Sequence, residues 1–236
     1  MVSEIILLIM EWIGTISFAT SGSLVAIRHD LDLFGVVTVG TITAVGGGIM
    51  RDIMIGNVPP KIFSDPLIIM VSIATSIVVF LIAYLYRKKF NQLSKGIDSV
   101  NIFFDALGLA AFSITGVEVS YQALSDGNVL LVVVLGVITG VGGGVLRDVL
   151  VNEKPYILTK HIYAIVSVLG CCAYYLLSVR MGYTVFATFF VLIFTVMMRL
   201  LAAKLHWKLP RIRLDDEQNS YILGFLIIFS LIIKVN

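Results

Sequence analysis

The sequence predicts an all-α polytopic membrane protein. Seven transmembrane helices are expected, as two inverted three-helix repeats plus a seventh helix, with helices 2 and 5 broken at Gly-Gly-Gly. Three observations carry this. Of 236 residues, 58% are hydrophobic and only 14% charged, where a soluble domain carries about 25% charge. The apolar residues fall into runs long enough to cross a bilayer, which takes about 20 residues as a helix. And Gly46-Gly47-Gly48-Ile49-Met50-Arg51-Asp52 returns as Gly142-Gly143-Gly144-Val145-Leu146-Arg147-Asp148. Over residues 40–55 and 136–151, nine of sixteen positions agree.

The first run covers residues 5–27 and is closed by Arg28-His29-Asp30. Met1 to Glu4 lack a basic n-region, so this span is expected to be retained. The second covers 33–55, interrupted by the first glycine triplet, before a turn containing Gly56-Asn57 and Pro59-Pro60, both strong breakers. The third covers 66–86 and ends in Arg87-Lys88-Lys89. Residues 90–101 read as a polar linker. The fourth run is 102–124, the fifth 129–151 with the second triplet, the sixth 162–179 and the seventh 183–203. The units expected are 1–89, 102–182, the seventh helix with its basic stretch (183–213) and a tail (214–236). The tail holds a last apolar run at 221–233; as a helix it would reach about 20 Å, which suits an interfacial or packed segment, with a short eighth span as the alternative.

The duplication extends beyond the glycines. Gly14, Phe18 and Gly22 match Gly108, Phe112 and Gly116 at an offset of 94. Three spans per copy is an odd number, so the second copy must enter the membrane inverted, about a pseudo-two-fold axis in its plane. Loop charge agrees. One side holds Lys61 and Arg180; the other holds Arg28, Arg87, Lys88, Lys89, Lys95, Lys154, Lys160, Arg199, Lys204, Lys208, Arg211 and Arg213. Two against twelve sets the N-terminus outside and the basic stretch after span 7 in the cytoplasm.

Three consecutive glycines disfavour a helix by about 1 kcal/mol each relative to Ala. A break there would expose backbone carbonyls and N–H groups, tolerable at membrane depth only along a polar cavity and suited to replacing part of a cation's hydration shell. Gly46, Gly47, Gly48, Gly142, Gly143 and Gly144 are therefore the expected ion pathway, against the plainer reading that they only allow close helix packing. Arg51, Asp52, Arg147 and Asp148 are costly at membrane depth. Because neighbours on a helix do not face each other, the expected pairs are crossed: Arg51 with Asp148 and Arg147 with Asp52, shaping a pore or locking the repeats. Both aspartates would open the first turn of a half-helix, where the dipole favours them. Glu118 is a candidate for an outer vestibule. Glu11 and Asp105 are equivalent positions near helix ends and read as snorkelling. The adjacent Cys171 and Cys172 read as packing. No nucleophile–base arrangement, phosphate loop or metal-ligand cluster is seen, so an enzyme, a cofactor, a metal beyond permeating cations and a nucleic-acid partner are not expected.

Two copies of Gly-Gly-Gly-x-x-Arg-Asp, each with a proline seven residues after the Asp (Pro59, Pro155), and the Trp207-x-Leu209-Pro210 ending, resemble the prokaryotic trimeric intracellular cation (TRIC) channels. The same domain is also labelled a glycine transporter domain. The resemblance implies a seven-span subunit, a homotrimer among membrane lipids in a prokaryotic plasma membrane, and a pore through each subunit lined by helices 2 and 5. The implied activity is passive permeation of K⁺ and Na⁺. One departure is that Gly56-Asn57 becomes Asn152-Glu153 in the second copy. The alternative is a secondary transporter for a small zwitterion such as glycine, which an inverted repeat also suits.

Overall fold

A computed structural model describes residues 2–87, 94–124, 128–159 and 162–205. Its long helices are α1 (Val2–Arg28), α2 (Leu33–Met54), α3 (Leu67–Leu85), α4 (Ser94–Ala123), α5 (Val129–Leu150), α6 (Ile162–Tyr174) and α7 (Thr184–Lys204). α6 continues as a π-helical segment, Tyr175–Arg180. Short helical turns at Lys61–Phe63 and Tyr156–Thr159 follow α2 and α5 at equivalent places. Among the described residues, six helices are long and apolar enough to cross a membrane; the apolar stretch Ala164–Arg180 is shorter. α4 starts at Ser94, so part of the polar stretch expected as linker is helical. The Trp207 motif, most of the basic stretch and the tail 214–236 lie outside the described residues.

The inverted repeat can be read from reciprocal contacts. A β-carbon on Gly14 would meet the Phe112 ring, and one on Gly108 the Phe18 ring. These two contacts exchange under the 94-residue offset, and their order makes α1 and α4 antiparallel. α2 and α5 repeat the pattern: Gly47 lies against the Thr139 carbonyl and Gly143 against the Thr43 carbonyl. Such a register arises only if the second copy is upside down relative to the first. Within each copy, Gly22 abuts Gly40 and Thr43 as Gly116 abuts Gly136 and Thr139. Phe18 and Phe112 meet between α1 and α4 with ring centroids 5.3 Å apart and planes tilted by 56°.

The glycine breaks are not there. α2 and α5 run without interruption through 46–48 and 142–144. An isolated helix would be weakened by three glycines, but a bilayer leaves no water to satisfy a freed backbone group, so the hydrogen-bond ladder is kept. The glycines act through their missing side chains. A β-carbon on Gly47 would collide with the Thr139 carbonyl oxygen, one on Gly143 with that of Thr43, and one on Gly142 would lie 3.1 Å from the Gly47 Cα. α2 and α5 thus cross backbone to backbone, held by dispersion and Cα–H···O contacts.

α7 has no counterpart in the first repeat. It packs on α4 and α6, with Ala187 and Val191 in a cluster with Ile114, Cys171 and Tyr174. Gly170 of α6 makes room for it: a β-carbon there would lie 2.9 Å from Thr195 Oγ1.

Candidate functional site

The Arg-Asp pairs lie on opposite sides of the glycine crossing. α2 and α5 are antiparallel and level at Gly47 and Thr139. Arg51 is four residues beyond that level one way and Asp148 nine residues beyond it the other way. At 1.5 Å per residue this separates them by about 20 Å along the axes. The crossed pairs expected from the sequence are therefore replaced by neighbour pairs. Arg51 Nε and Nη2 both donate to Asp52 Oδ1, at 2.9 and 2.7 Å. Arg147 Nε donates to Asp148 Oδ1 at 2.9 Å, with Nη2 2.8 Å from the same oxygen. The arginine side chain is long enough to fold back over the next residue, which a spacing rule built on Cβ positions overlooks.

Because the helices are unbroken, Asp52 and Asp148 sit in a last turn, not a first, where the helix dipole opposes a negative charge. The arginine offsets this, and the second carboxylate oxygen takes a backbone N–H from the following loop. Asp52 Oδ2 accepts from Lys61 N at 3.0 Å and Asp148 Oδ2 from Tyr156 N at 2.8 Å. Each Asp thereby pins its loop under the end of its own helix. The left-handed residue of each turn is Gly56 (φ 78°) in one copy and Asn152 (φ 59°) in the other, so the sequence departure at this turn keeps the backbone geometry, Asn being tolerated there.

The two ends differ in what surrounds the pair. At the end reached by α5, Arg147 is fully buried. Its Nη1 donates to Ser21 Oγ at 2.6 Å and to Asp105 Oδ1 at 2.8 Å. Asp105 Oδ2 accepts from Arg199 Nη2 at 2.9 Å, and Ser21 Oγ donates to Asn101 Oδ1 at 2.8 Å. The Arg147 guanidinium lies 5.2 Å from the Tyr156 ring centroid. α1, α4, α5 and α7 are joined here, and the space among Gly144, Arg147, Asp148 and Tyr156 has no room for a water.

At the other end there is an open cavity of about 40 Å³, lined among others by Glu11, Thr15, Gly48, Arg51, Asp52, Lys61, Thr115 and Thr139. That is above the roughly 10–15 Å³ one water needs. Lys61 Nζ stands 4.0 Å from Glu11 Oε2 at its mouth. Glu11 and Thr115 are the repeat equivalents of Asp105 and Ser21, so the same set of residues is closed at one end and open at the other. The floor is the glycine crossing, with Ala44, Gly48, Phe112 and Thr139. Two carboxylates, Glu11 and Asp52, and the hydroxyls of Thr15, Thr115 and Thr139 are among the groups that line this cavity.

Several sequence readings change. Asp105 does not snorkel; it is fully buried between two arginines. Arg199, counted with the loop charges, is buried in α7. Their signal was present as a duplicated acid (Glu11, Asp105) and a lone arginine inside an apolar run. Glu118 does not line the cavity; it accepts from Gln122 Nε2 at 2.9 Å and from the Tyr174 hydroxyl at 3.1 Å. Of the two triplets, Gly48 borders the open cavity and Gly144 the sealed end.

A family model described as "Glycine transporter" matches residues 8–84 and 102–179, one match per repeat. The chain is 37% identical over 88% of its length to the UPF0126 inner membrane protein YadS of Escherichia coli, covering 97% of that protein. It is 34% identical to the UPF0126 membrane protein YvgT of Bacillus subtilis, over 88% of this chain and 98% of that one. Among solved structures it is similar to a prokaryotic TRIC channel in 0.5 M KCl, with 35% identity, a TM-score of 0.76, and 87% of this chain and all of that chain covered. The TRIC orthologue from Rhodobacter sphaeroides matches at 27% identity and TM-score 0.76, over 86% of this chain and 99% of that one. With both repeats matched and the fold shared over nearly the whole length of these proteins, the chain belongs to the glycine transporter (UPF0126) family, the family of the prokaryotic TRIC channels.

Proposed function

We propose that this protein is a monovalent cation channel, conducting K⁺ and Na⁺ along a pathway between α2 and α5 in each subunit of a homotrimer. The observation that carries the reading is the cavity, lined by charged and hydroxyl side chains beside apolar ones, that runs from Glu11 and Lys61 down to the glycine crossing, in a chain similar over 87% of its length to a TRIC channel. Cations enter at the Glu11 end, Gly46–Gly48 and Gly142–Gly144 form the narrowest part, and the Arg147–Asp105–Arg199 network is the barrier on the far side. The two Arg-Asp pairs hold the loops that frame the two mouths. The N-terminus lies outside and α7 ends in the cytoplasm, following the charge bias of the loops. A channel needs no coupled titration, and both duplicated aspartates are engaged with arginines.

Purified protein in a planar bilayer, with KCl or NaCl on either side, tests this. Unitary current steps carried by both cations are expected. Saturable glycine uptake by the same protein in vesicles, without unitary steps, would overturn the channel in favour of a carrier.

A further inference from the structure

The two ends of the molecule hold equivalent residues in two arrangements. At the sealed end Arg147 grips Asp148 with Nε and Nη2 and gives Nη1 to Asp105 and Ser21. At the open end Arg51 grips Asp52 with the same two nitrogens. Glu11 and Thr115, the repeat equivalents of Asp105 and Ser21, line the same cavity as Arg51. Among the described residues, no hydrogen bond or ion pair joins Arg51 to Glu11. Asp105 lies between two cations, with Arg147 on Oδ1 and Arg199 on Oδ2. Glu11 already has one cation beside it, Lys61 Nζ at 4.0 Å from Oε2.

We propose that the open end has a second, closed state, in which Glu11 turns inward, takes the Nη1 of Arg51 and draws Lys61 over the mouth. Given the cation channel proposed above, on which this rests, the Arg51–Glu11 pair is the outer gate of its pathway. Three observations support the closed state. The guanidinium is already posed for it: the same two nitrogens hold the neighbouring aspartate at both ends, so Nη1 is the nitrogen turned to the acid. Reach is sufficient, because glutamate is one methylene longer than the aspartate that makes this bond at the sealed end. With its side chain 29% exposed, Glu11 can turn inward by a change of rotamer while α1 stays in place. And the closure is reversible, because the bonds that lock the sealed end are not duplicated. Asn101, which accepts from Ser21, corresponds to Leu7, and Arg199 lies on α7, outside the duplication. The attraction an ion pair gains on burial and the hydration it loses nearly cancel, so the pair can be in either state. In the closed one the Lys61 ammonium stands in the entrance and repels a cation.

Planar-bilayer recording of the full-length protein in 1 M KCl tests the gate, with unitary current and closed time read separately. At that salt, screening within about 3 Å weakens the effect of the charge at position 11 on the current. Closed time reads the pair itself. In Glu11→Gln the amide offers Arg51 only a neutral acceptor, weaker than a charge-assisted bond, and the time spent closed should fall several-fold. Unitary steps without closures in the unaltered protein, or with closures that Glu11→Gln leaves unchanged, overturn the gate and leave the channel. Absence of unitary steps in the unaltered protein overturns the channel, and a measurement that needs no current then decides whether the closed state exists. In protein carrying Cys172→Ser, Gly48→Cys is labelled with methyl methanethiosulfonate, a small neutral reagent whose local concentration does not follow the charge at position 11. Adding Glu11→Gln should raise that rate several-fold, because position 48 is no longer shut off for part of the time. Gly144→Cys, at the sealed end, should not gain from the same change. An unchanged rate at position 48, or an equal rise at both positions, overturns the closed state.

Discussion

Arg147 Nη1 donates to Asp105 Oδ1 at 2.8 Å with both side chains wholly buried. Asp105 is held from the other side by Arg199, so a single carboxylate ties α5 to α7 through α4. Removing one member of a buried ion group typically costs about 3–5 kcal/mol. Asp105→Ala is expected to lower thermal stability in detergent by that order, leaving two guanidinium groups around an emptied site. The double mutant Asp105→Ala/Arg147→Ala should be less damaged than the sum of the single changes, since the two are in contact. Arg51→Ala with Asp148→Ala should be additive, as sites more than about 10 Å apart usually are. A melting-temperature cycle separates these cases, and coupling between Arg51 and Asp148 would contradict the geometry.

The glycines of one triplet differ in what they face. A side chain on Gly47 collides with the Thr139 backbone, whereas a β-carbon on Gly48 would have only Arg51 Nη2 near it, at 3.9 Å. Gly47→Ala and Gly143→Ala should force α2 and α5 apart, lowering stability and cation flux together. Gly48→Ala should keep the fold and gain up to about 1 kcal/mol from helix propensity. Thermal melts of the three variants beside vesicle flux check the order; equal damage from all three would mean the crossing is not backbone to backbone.

The open and sealed ends predict unequal access to equivalent positions. Gly48 borders the cavity and Gly144 the closed network. A cysteine at 48 should react with a small water-soluble thiol reagent much faster than one at 144. Similar rates, measured on the resting protein, would mean that the barrier lies elsewhere.

Glu11 and Lys61 meet at 4.0 Å, with Lys61 60% exposed. So open a pair contributes little to stability, about 0–1 kcal/mol, and neither Glu11→Gln nor Lys61→Ala should shift the melting temperature much. Their effect should be on conduction. Glu11→Gln is expected to reduce cation current mainly at low ionic strength, because an exposed charge is screened within about 10 Å at 0.1 M salt. Conductance measured across a salt series decides this, and a loss independent of salt would point to a structural role for Glu11 instead.

The sequence by itself determined the class, the inverted repeat and the family. Hydrophobic run lengths, an odd number of spans per copy and a duplicated motif at a fixed offset are properties of the chain that no packing arrangement can alter. Gly14 with Phe112 and Gly108 with Phe18 then meet as the duplication requires. The tertiary structure decided what the conspicuous residues do. Glycine triplets mean either a break or a close crossing, and the choice rests on another helix: Thr139 and Thr43 carbonyls sit where side chains would be, and the bilayer penalises an open backbone. Arg51 and Asp148 look like partners on paper, but the antiparallel crossing places them far apart. Asp105 and Arg199 look peripheral in the chain, yet helix rotation turns Asp105 toward Arg147 and Arg199 toward Asp105. Which side chains face one another depends on the relative rotation and register of whole helices, a non-local quantity that residue spacing within one helix does not contain.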